Sequence, residues 1–247
     1  MTWKVGRDVE YRHEGTRMMG LVVPPPGRAA DDSAAAVLLL HDAFGISEEM
    51  TCHATRLAGA GHPVFMADLW GERAAPASPA EIGPLIGSMT GNRDRWLGRV
   101  AAARAALAGQ PEFSGRPLVL LGYCFGGSSA LEYLRTGAEV AGVAAVHPGL
   151  DLLGQDWSTP GSGSVLLMIG ADDPMATPAL RSRLVDHLSS AGLDHQLHLY
   201  SDTTHAFTSR KAADSPQPEL FAHNPLSAGR AWTATTGFLT ELSAPAS

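Results

Sequence analysis

The 247-residue sequence is poor in several features that would assign it to a specialised class. With only two cysteines it has no disulfide framework, and a reducing, cytoplasmic environment is expected. Its 18 lysines and arginines are scattered and outnumbered by 25 acidic residues, so the net charge of −7 argues against a nucleic-acid partner. No apolar run approaches about 18 residues, so we expect no membrane span.

Signals for export, nucleotides and metals are also missing. The first fifteen residues, MTWKVGRDVEYRHEG, lack the apolar core of a signal peptide. Neither a GxGxxG nor a Walker-type pattern occurs, so nucleotide chemistry has no support. His195 and His198 are three residues apart on a strand-like run and would point to opposite faces, so they are not expected to chelate one ion. We expect neither a metal nor a cofactor.

What the sequence does contain is an alternation of apolar runs and helix-like segments. Nearly continuous apolar runs of strand length are typical of parallel strands that are covered on both faces. Residues 9–24 are interpreted as an edge hairpin, and PPPGRAADDS as the surface loop after it. The apolar runs lie at 34–41, 61–70, 116–124, 140–149, 164–173 and 194–202, and helix-like segments at 47–61, 93–110, 178–192 and 227–242. This alternation predicts a doubly wound, mostly parallel α/β sheet flanked by helices, in one domain over 1–247. Ligands of such sheets bind beyond the carboxyl ends of the strands.

The turn at residues 122–126, Gly-Tyr-Cys-Phe-Gly, is the clearest chemical signal. It has the form of a nucleophile elbow with cysteine in place of serine, between a strand-like and a helix-like run. Glycines without a Cβ allow such a sharp turn. Cys124 would stand at a helix N-terminus, which favours the thiolate, and the N–H of Phe125 would face a developing oxyanion. The alternative is a buried, inert cysteine in a glycine-rich turn.

The order of residues along the chain favours the nucleophile. An acid is expected at the end of a later strand, and a histidine after it. VLLMIGADDP ends in such a position, and LHLYSDTTHAF carries His205 in the loop after the next strand-like run. We prefer Asp173 as the acid because it precedes Pro174 at the loop mouth, with Asp172 as a loop or cap residue. The imidazole would hold the sulfur as thiolate, and the carboxylate would orient the imidazole.

With these motifs the chain resembles the dienelactone hydrolase family of α/β-hydrolases, from about residue 10 to about residue 242. The resemblance rests on LLLHDAFGISEEM, ADLWGER, LGYCFGGSSALEYL, IGADDP and YSDTTHAF. It implies an α/β-hydrolase fold without a cofactor, a triad of Cys124, His205 and Asp173, and an oxyanion hole formed by the N–H groups of Phe125 and Ala43. It also implies cleavage of a small ester or lactone. The family's characterised reaction opens a carboxymethylene-butenolide to a dicarboxylate.

The resemblance further implies residues around the substrate. Family members with that reaction have a glutamate at the position of Asp42, where it holds the resting cysteine and gates its ionisation; Asp42 is one methylene shorter. They also bind the substrate carboxylate with arginines about one residue from the positions of Arg73 and Arg210. From the residues themselves, four aromatic side chains beside the site could form an apolar wall or pack in the core: Phe44, Trp70, Tyr123 and Phe207.

A few residues and the acyl acceptor stay open at this point. His41 is interpreted as a pocket or backbone-bonded residue rather than a second catalytic group, and His147 as either a site or a structural residue. Cys52 is interpreted as a core residue, and residues 72–93 as loops that hold an acceptor pocket. The predicted function is thiol-dependent hydrolysis of a small ester or lactone through an acyl-cysteine. The alternatives are an acyl-transfer or cyclising enzyme on the same triad, and a non-catalytic binding protein.

Overall fold

An eight-stranded sheet dominates the structure, a computed structural model that describes residues 6–27 and 33–243. The strands lie in the order β1-β2-β4-β3-β5-β6-β7-β8. The β1–β2 and β2–β4 pairs are antiparallel and all other pairs are parallel. The strands are β1 (Arg7–His13), β2 (Thr16–Val23), β3 (Ala36–Leu40), β4 (Val64–Ala67), β5 (Leu118–Tyr123), β6 (Glu139–Val146), β7 (Ser162–Gly170) and β8 (His195–Tyr200). The predicted doubly wound, mostly parallel architecture is confirmed.

Among the described residues, six α-helices flank this sheet. They are α1 (Glu48–Gly59), α2 (Pro79–Thr90), α3 (Arg93–Ala108), α4 (Phe125–Arg135), α5 (Pro178–Ser190) and α6 (Pro225–Ser243). Buried side chains of α1 and α6 pack in one apolar layer, and those of α3, α4 and α5 pack in the layer on the other face of the sheet. In the described ranges no helix combines the length and the apolar character that crossing a membrane requires.

The predicted edge hairpin and capped helices form for local reasons. Glu14 and Gly15 both have positive φ, 46° and 77°, which is the conformation of a tight two-residue hairpin turn, and β1 lies at the edge of the sheet. Ser47 begins α1 by accepting a hydrogen bond from the Met50 N–H at 3.3 Å. All five residues of β3 are buried, as the continuous apolar run predicts. Part of the predicted loop PPPGRAADDS, residues 28–32, lies outside the described residues.

Two sequence expectations are wrong at this level. Residues 72–93 are not loops throughout, because α2 occupies 79–90; the Ser78 hydroxyl donates to the Glu81 carboxylate at 2.8 Å and supports its first turn. Gly83 and Pro84, which disfavour helices, obscured it in the sequence. Cys52 is exposed rather than part of the core, because it lies on the outward side of α1.

Candidate active site

The turn from β5 into α4 holds Cys124 in a backbone conformation that only a closely packed elbow imposes. Its φ is 51° and its ψ −117°, and its N–H donates to the Val146 carbonyl at 3.0 Å. A Cβ at Gly122 would lie 2.1 Å from the Gly126 oxygen, and a Cβ at Gly126 would lie 2.1 Å from the Leu40 oxygen. Both glycines are therefore sterically required, and the turn raises the half-buried cysteine above the sheet at the N-terminus of a helix.

The structure brings Cys124, His205 and Asp173 into one hydrogen-bonded line. His205 Nε2 lies 3.1 Å from the Cys124 Sγ, and His205 Nδ1 lies 2.8 Å from Asp173 Oδ2. The other carboxylate oxygen, Oδ1, accepts the Met175 N–H at 2.8 Å, which orients the group. His205 and Asp173 are both almost fully buried. Asp172, the other candidate for the acid, is exposed.

The loop after β8 is fixed on both sides of His205. The His205 N–H donates to the Leu220 carbonyl at 3.1 Å, and the His205 carbonyl accepts the Ala222 N–H at 3.3 Å. The Phe221 ring stands edge-on to the imidazole, with ring centroids 5.8 Å apart. The imidazole is thus held in place by the backbone of a distant segment, which no local sequence signal could have indicated.

The electrostatics of this line favour a charged imidazole. Burial alone would lower the pKa of His205, but the charge of a Cys124 thiolate and the hydrogen bond to the Asp173 carboxylate outweigh it and raise the pKa to about 10. At neutral pH the imidazole therefore carries a proton on each nitrogen whenever the sulfur is ionised. Nδ1–H donates to Asp173, and Nε2–H donates to the sulfur.

The two backbone N–H groups expected to form an oxyanion hole have no hydrogen-bond partner among the described residues: those of Phe125, the first residue of α4, and Ala43, after β3. The Ala43 carbonyl accepts the Trp70 indole N–H at 3.2 Å. His41 also forms hydrogen bonds with the backbone around this loop. His41 Nδ1–H donates to the Asp42 carbonyl at 2.6 Å, and its Nε2 accepts the Leu69 N–H at 3.0 Å. These bonds explain His41 as a backbone-bonded residue.

Asp42 also serves this loop. Its carboxylate accepts the Phe44 N–H at 2.9 Å, and among the described residues it makes no hydrogen bond to Cys124. Burial raises the pKa of Asp42 to about 6, although the bond from Phe44 acts in the opposite direction. The Asp42 carboxyl group is thus hydrogen-bonded to the backbone of its own loop, which also contains Ala43.

The predicted aromatic wall does not form as one surface. Trp70 stacks on Phe125 at 4.7 Å in the apolar layer of α3 to α5. Tyr123 and Phe207 are buried in the opposite layer, with α1 and α6. Only Phe44 is partly exposed, with the Lys211 ammonium 5.1 Å from its ring centroid. The sheet thus lies between Trp70 on one face and Tyr123 and Phe207 on the other.

The expectation that Arg73 holds a substrate carboxylate is corrected by its contacts. Its guanidinium donates to the carbonyls of Met19 and Gly20 at 2.9–3.1 Å and pairs with Asp8 at 2.9 Å. These partners belong to the β1–β2 hairpin, so Arg73 ties the loop after β4 to the sheet edge. Arg210 lies elsewhere, on a cavity of about 500 Å³ between α1 and α6 that neither Cys124 nor His205 lines.

His147, which the sequence left open, lies behind the imidazole. It is buried, its Nε2 is 2.8 Å from the Thr208 hydroxyl, and its ring is 5.2 Å from that of His205. Burial holds the pKa of His147 well below its usual value, so the ring is neutral. Its position at the carboxyl end of β6 was the one available signal. Thr208 had none.

The chain was also compared with known proteins. Residues 20–243 match the model of the dienelactone hydrolase family. The solved structure m3DLH is 27% identical, with 96% of this chain and 97% of that chain covered and a TM-score of 0.88. A dienelactone hydrolase-like promiscuous phosphotriesterase from metagenomic libraries is 29% identical, covering 96% and 98%, with a TM-score of 0.85. Dienelactone hydrolase from Anabaena variabilis ATCC 29413 is 17% identical, covering 96% and 98%, with a TM-score of 0.65. A search of curated proteins found no match.

Proposed function

The chain belongs to the dienelactone hydrolase family of α/β-hydrolases, and from that premise we propose that it is a thiol-dependent hydrolase that cleaves a small carboxylic ester or lactone. The observation that carries this proposal is the continuous contact from Asp173 through His205 to the Cys124 sulfur, at 2.8 and 3.1 Å. A nucleophile, a base and an orienting acid in hydrogen-bond contact are the arrangement that acyl transfer requires.

Acylation begins with the Cys124 thiolate attacking the carbonyl carbon of the ester. The new C–S bond moves an electron pair onto the carbonyl oxygen, where the N–H groups of Phe125 and Ala43 would receive it. Each such donor typically contributes about 10²–10³ in rate. Collapse of the intermediate breaks the C–O bond, and the leaving alkoxide takes the proton from His205 Nε2. An acyl thioester on Cys124 and a neutral imidazole remain.

Deacylation reverses these roles. Neutral His205 removes a proton from water while the oxygen attacks the thioester carbonyl, and the same two N–H groups receive the second oxyanion. Breaking the C–S bond releases the carboxylic acid and returns the sulfur as thiolate beside a protonated imidazole. Asp173 keeps the Nδ1–H tautomer, since its Oδ2 accepts from His205 Nδ1 while its Oδ1 accepts from the Met175 N–H.

Variants of Cys124 and Asp173 test the proposal. With p-nitrophenyl acetate and a γ-lactone as substrates, we expect Cys124→Ala to lower kcat/KM at least about a hundredfold. Asp173→Asn should lower it about tenfold or more, because the imidazole loses its orienting charge. The matched control is Asp172→Asn, which removes the neighbouring exposed carboxylate and should leave the rate unchanged.

A trapped intermediate tests the thioester itself. Acid quenching during turnover, followed by intact-mass measurement, should show one acyl group on the wild type and none on Cys124→Ala. Comparable rates for Cys124→Ala and wild type would remove the sulfur from the mechanism. Equal losses for Asp172→Asn and Asp173→Asn would remove the assignment of the acid. Product analysis with added alcohol separates hydrolysis from acyl transfer, since a transferase would give the ester in place of the acid.

A further inference from the structure

The cavity between α1 and α6 is separate from the sulfur, and its construction is that of a binding site. Its volume of about 500 Å³ lies within the range of small-molecule sites, about 300–1,000 Å³. Between it and His205 stands the buried ring of His147, whose centroid is 5.2 Å from that of His205 and 5.9 Å from that of Tyr123. A molecule in the cavity would therefore reach neither the sulfur nor the imidazole.

A polar group faces the cavity without a protein partner. Tyr123 lines the cavity and is 96% buried, since its side chain is only 4% exposed. Its hydroxyl makes no hydrogen bond to any residue that the structure describes, although buried tyrosine hydroxyls usually have a partner. His53 stacks on its ring at 4.4 Å and keeps it in place. Tyr123 is thus a fixed side chain of the cavity lining whose hydroxyl is available as a donor.

Two arginines that line the same cavity supply positive charge. The Arg56 guanidinium lies 3.8 Å above the Trp232 ring, which holds it without neutralising its charge. Arg210 lines the cavity from the loop after β8. In the described ranges neither guanidinium forms an ion pair with a carboxylate. Glu48 and Glu49 also line the cavity, and the Glu49 oxygens accept the Ser209 hydroxyl and the Arg210 N–H at 2.7 Å. With Lys211 the lining has three basic side chains against these two carboxylates, so its formal charge is positive.

The lining also contains apolar surface. Val146, Ala231 and Trp232 contribute side-chain surface from β6 and α6. A cavity with an apolar floor, a tyrosine hydroxyl and two unpaired guanidinium groups is complementary to an amphipathic anion. We propose that this cavity binds a small aromatic or apolar carboxylate, whose charged end is held by Arg56, Arg210 and the Tyr123 hydroxyl. This site does not depend on Cys124 being the nucleophile.

Benzoate is the probe that tests this site, and benzamide is its uncharged match. The Cys124→Ala chain is suited to the titration because Cys52, which lies on the cavity lining, is then the only cysteine. We expect calorimetry to show saturable binding of one benzoate, with benzamide at least about tenfold weaker. Bound benzoate should also slow the alkylation of Cys52 by iodoacetamide.

Variants locate the bound probe. Arg56→Gln should weaken benzoate binding about tenfold, and Tyr123→Phe, which removes only the hydroxyl, about fivefold. The control is Arg183→Gln, which removes an exposed arginine of α5 on the opposite face of the sheet and should leave the affinity unchanged. Benzoate that fails to saturate at millimolar concentration, that binds no better than benzamide, or that leaves Cys52 alkylation unchanged would overturn the proposal. Failure here would leave the ester-hydrolysis experiments unaffected.

Discussion

Replacing Asp42 by asparagine tests the electrostatics of the loop that carries the Ala43 N–H. Asp42 is 8% exposed, and burial raises the pKa of its carboxyl from the ordinary 3.8 to about 6. The folded protein therefore binds this proton more tightly than the unfolded chain does. Folding stability falls as the pH rises from 3.8 to about 6, and it stays lower above that window.

The size of the effect follows from this difference. Roughly two pKa units correspond to about 3 kcal/mol of folding free energy above pH 6. Asparagine keeps the shape and the acceptor oxygen for the Phe44 N–H but has no charge. We therefore expect Asp42→Asn to raise the free energy of unfolding by about 1–3 kcal/mol at about pH 8, and to have little effect at about pH 4. Each kcal/mol shifts the Tm of a chain of this length by about 2–4 °C.

Urea titrations at about pH 4, 6 and 8 measure this difference. Asp186→Asn removes an exposed carboxylate of α5 and serves as the control, with no pH-dependent gain expected. The reasoning is refuted if Asp42→Asn is less stable than the wild type at the highest pH, or if its gain is equally large at the lowest. Either result would mean that burial does not dominate at this carboxyl.

Three further predictions concern packing and charge. Gly126→Ala should cost more than about 2 kcal/mol of stability in urea titrations, because the new Cβ would lie 2.1 Å from the Leu40 oxygen. Glu132→Gln should cost about 3–5 kcal/mol, since the buried Glu132 carboxylate pairs with Arg135 at 2.7 Å. Burial raises the pKa of Glu132, but the hydrogen bonds from Arg135 and the Gly154 N–H together with the charges of Arg135 and Arg93 outweigh it and hold the pKa below the ordinary 4.5. The wild type should therefore lose this stability as the pH falls below 4.5. Arg73→Gln should lower the Tm without changing the kcat/KM ratio between carboxylate-bearing and neutral esters.

Two control variants accompany the stability predictions for Gly126→Ala and Glu132→Gln. Gly237→Ala, at an exposed position of α6 where a Cβ meets nothing within 4 Å, should stabilise the protein by about 0.5–1 kcal/mol. Glu219→Gln removes an exposed carboxylate and should have little effect on stability. An unchanged Gly126→Ala variant would contradict the geometry of the elbow. A selective loss of activity of Arg73→Gln on carboxylate-bearing esters would restore its expected role.

The candidate triad was accessible from the sequence because each of its members follows a strand. Parallel strands end at one edge of the sheet, so residues placed after β5, β7 and β8 meet there even though 81 residues separate Cys124 from His205. The nucleophile elbow was predictable from the sequence for a more local reason. Glycines on both sides of a cysteine are required by contacts within the turn itself, and those contacts leave a pattern in adjacent positions.

The side-chain directions in the surrounding loops were not accessible in the same way. Arg73 was expected at the substrate but bonds to the β1–β2 hairpin, and Cys52 was expected in the core but lies exposed on α1. The residue type allows both outcomes in each case. Which one occurs depends on the partners that another part of the chain provides, here the free carbonyls of Met19 and Gly20.

The succession of strands and helices, the elbow and the position of the candidate triad along the chain were thus predictable from the sequence alone, because they arise from periodicity and from neighbouring residues. The tertiary structure decided what surrounds them: the imidazole held between Leu220 and Ala222, the Asp42 carboxyl bonded to the Phe44 N–H, and the cavity between α1 and α6. The cavity joins α1 and α6, far apart in the chain, and the bonds at His205 reach a segment 15 or more residues away. The Asp42 bond is local, but the burial that shifts the pKa of its carboxyl comes from the assembled fold. The energies of these features depend on burial and on distances between side chains, which exist only once the sheet and its two helical layers have assembled.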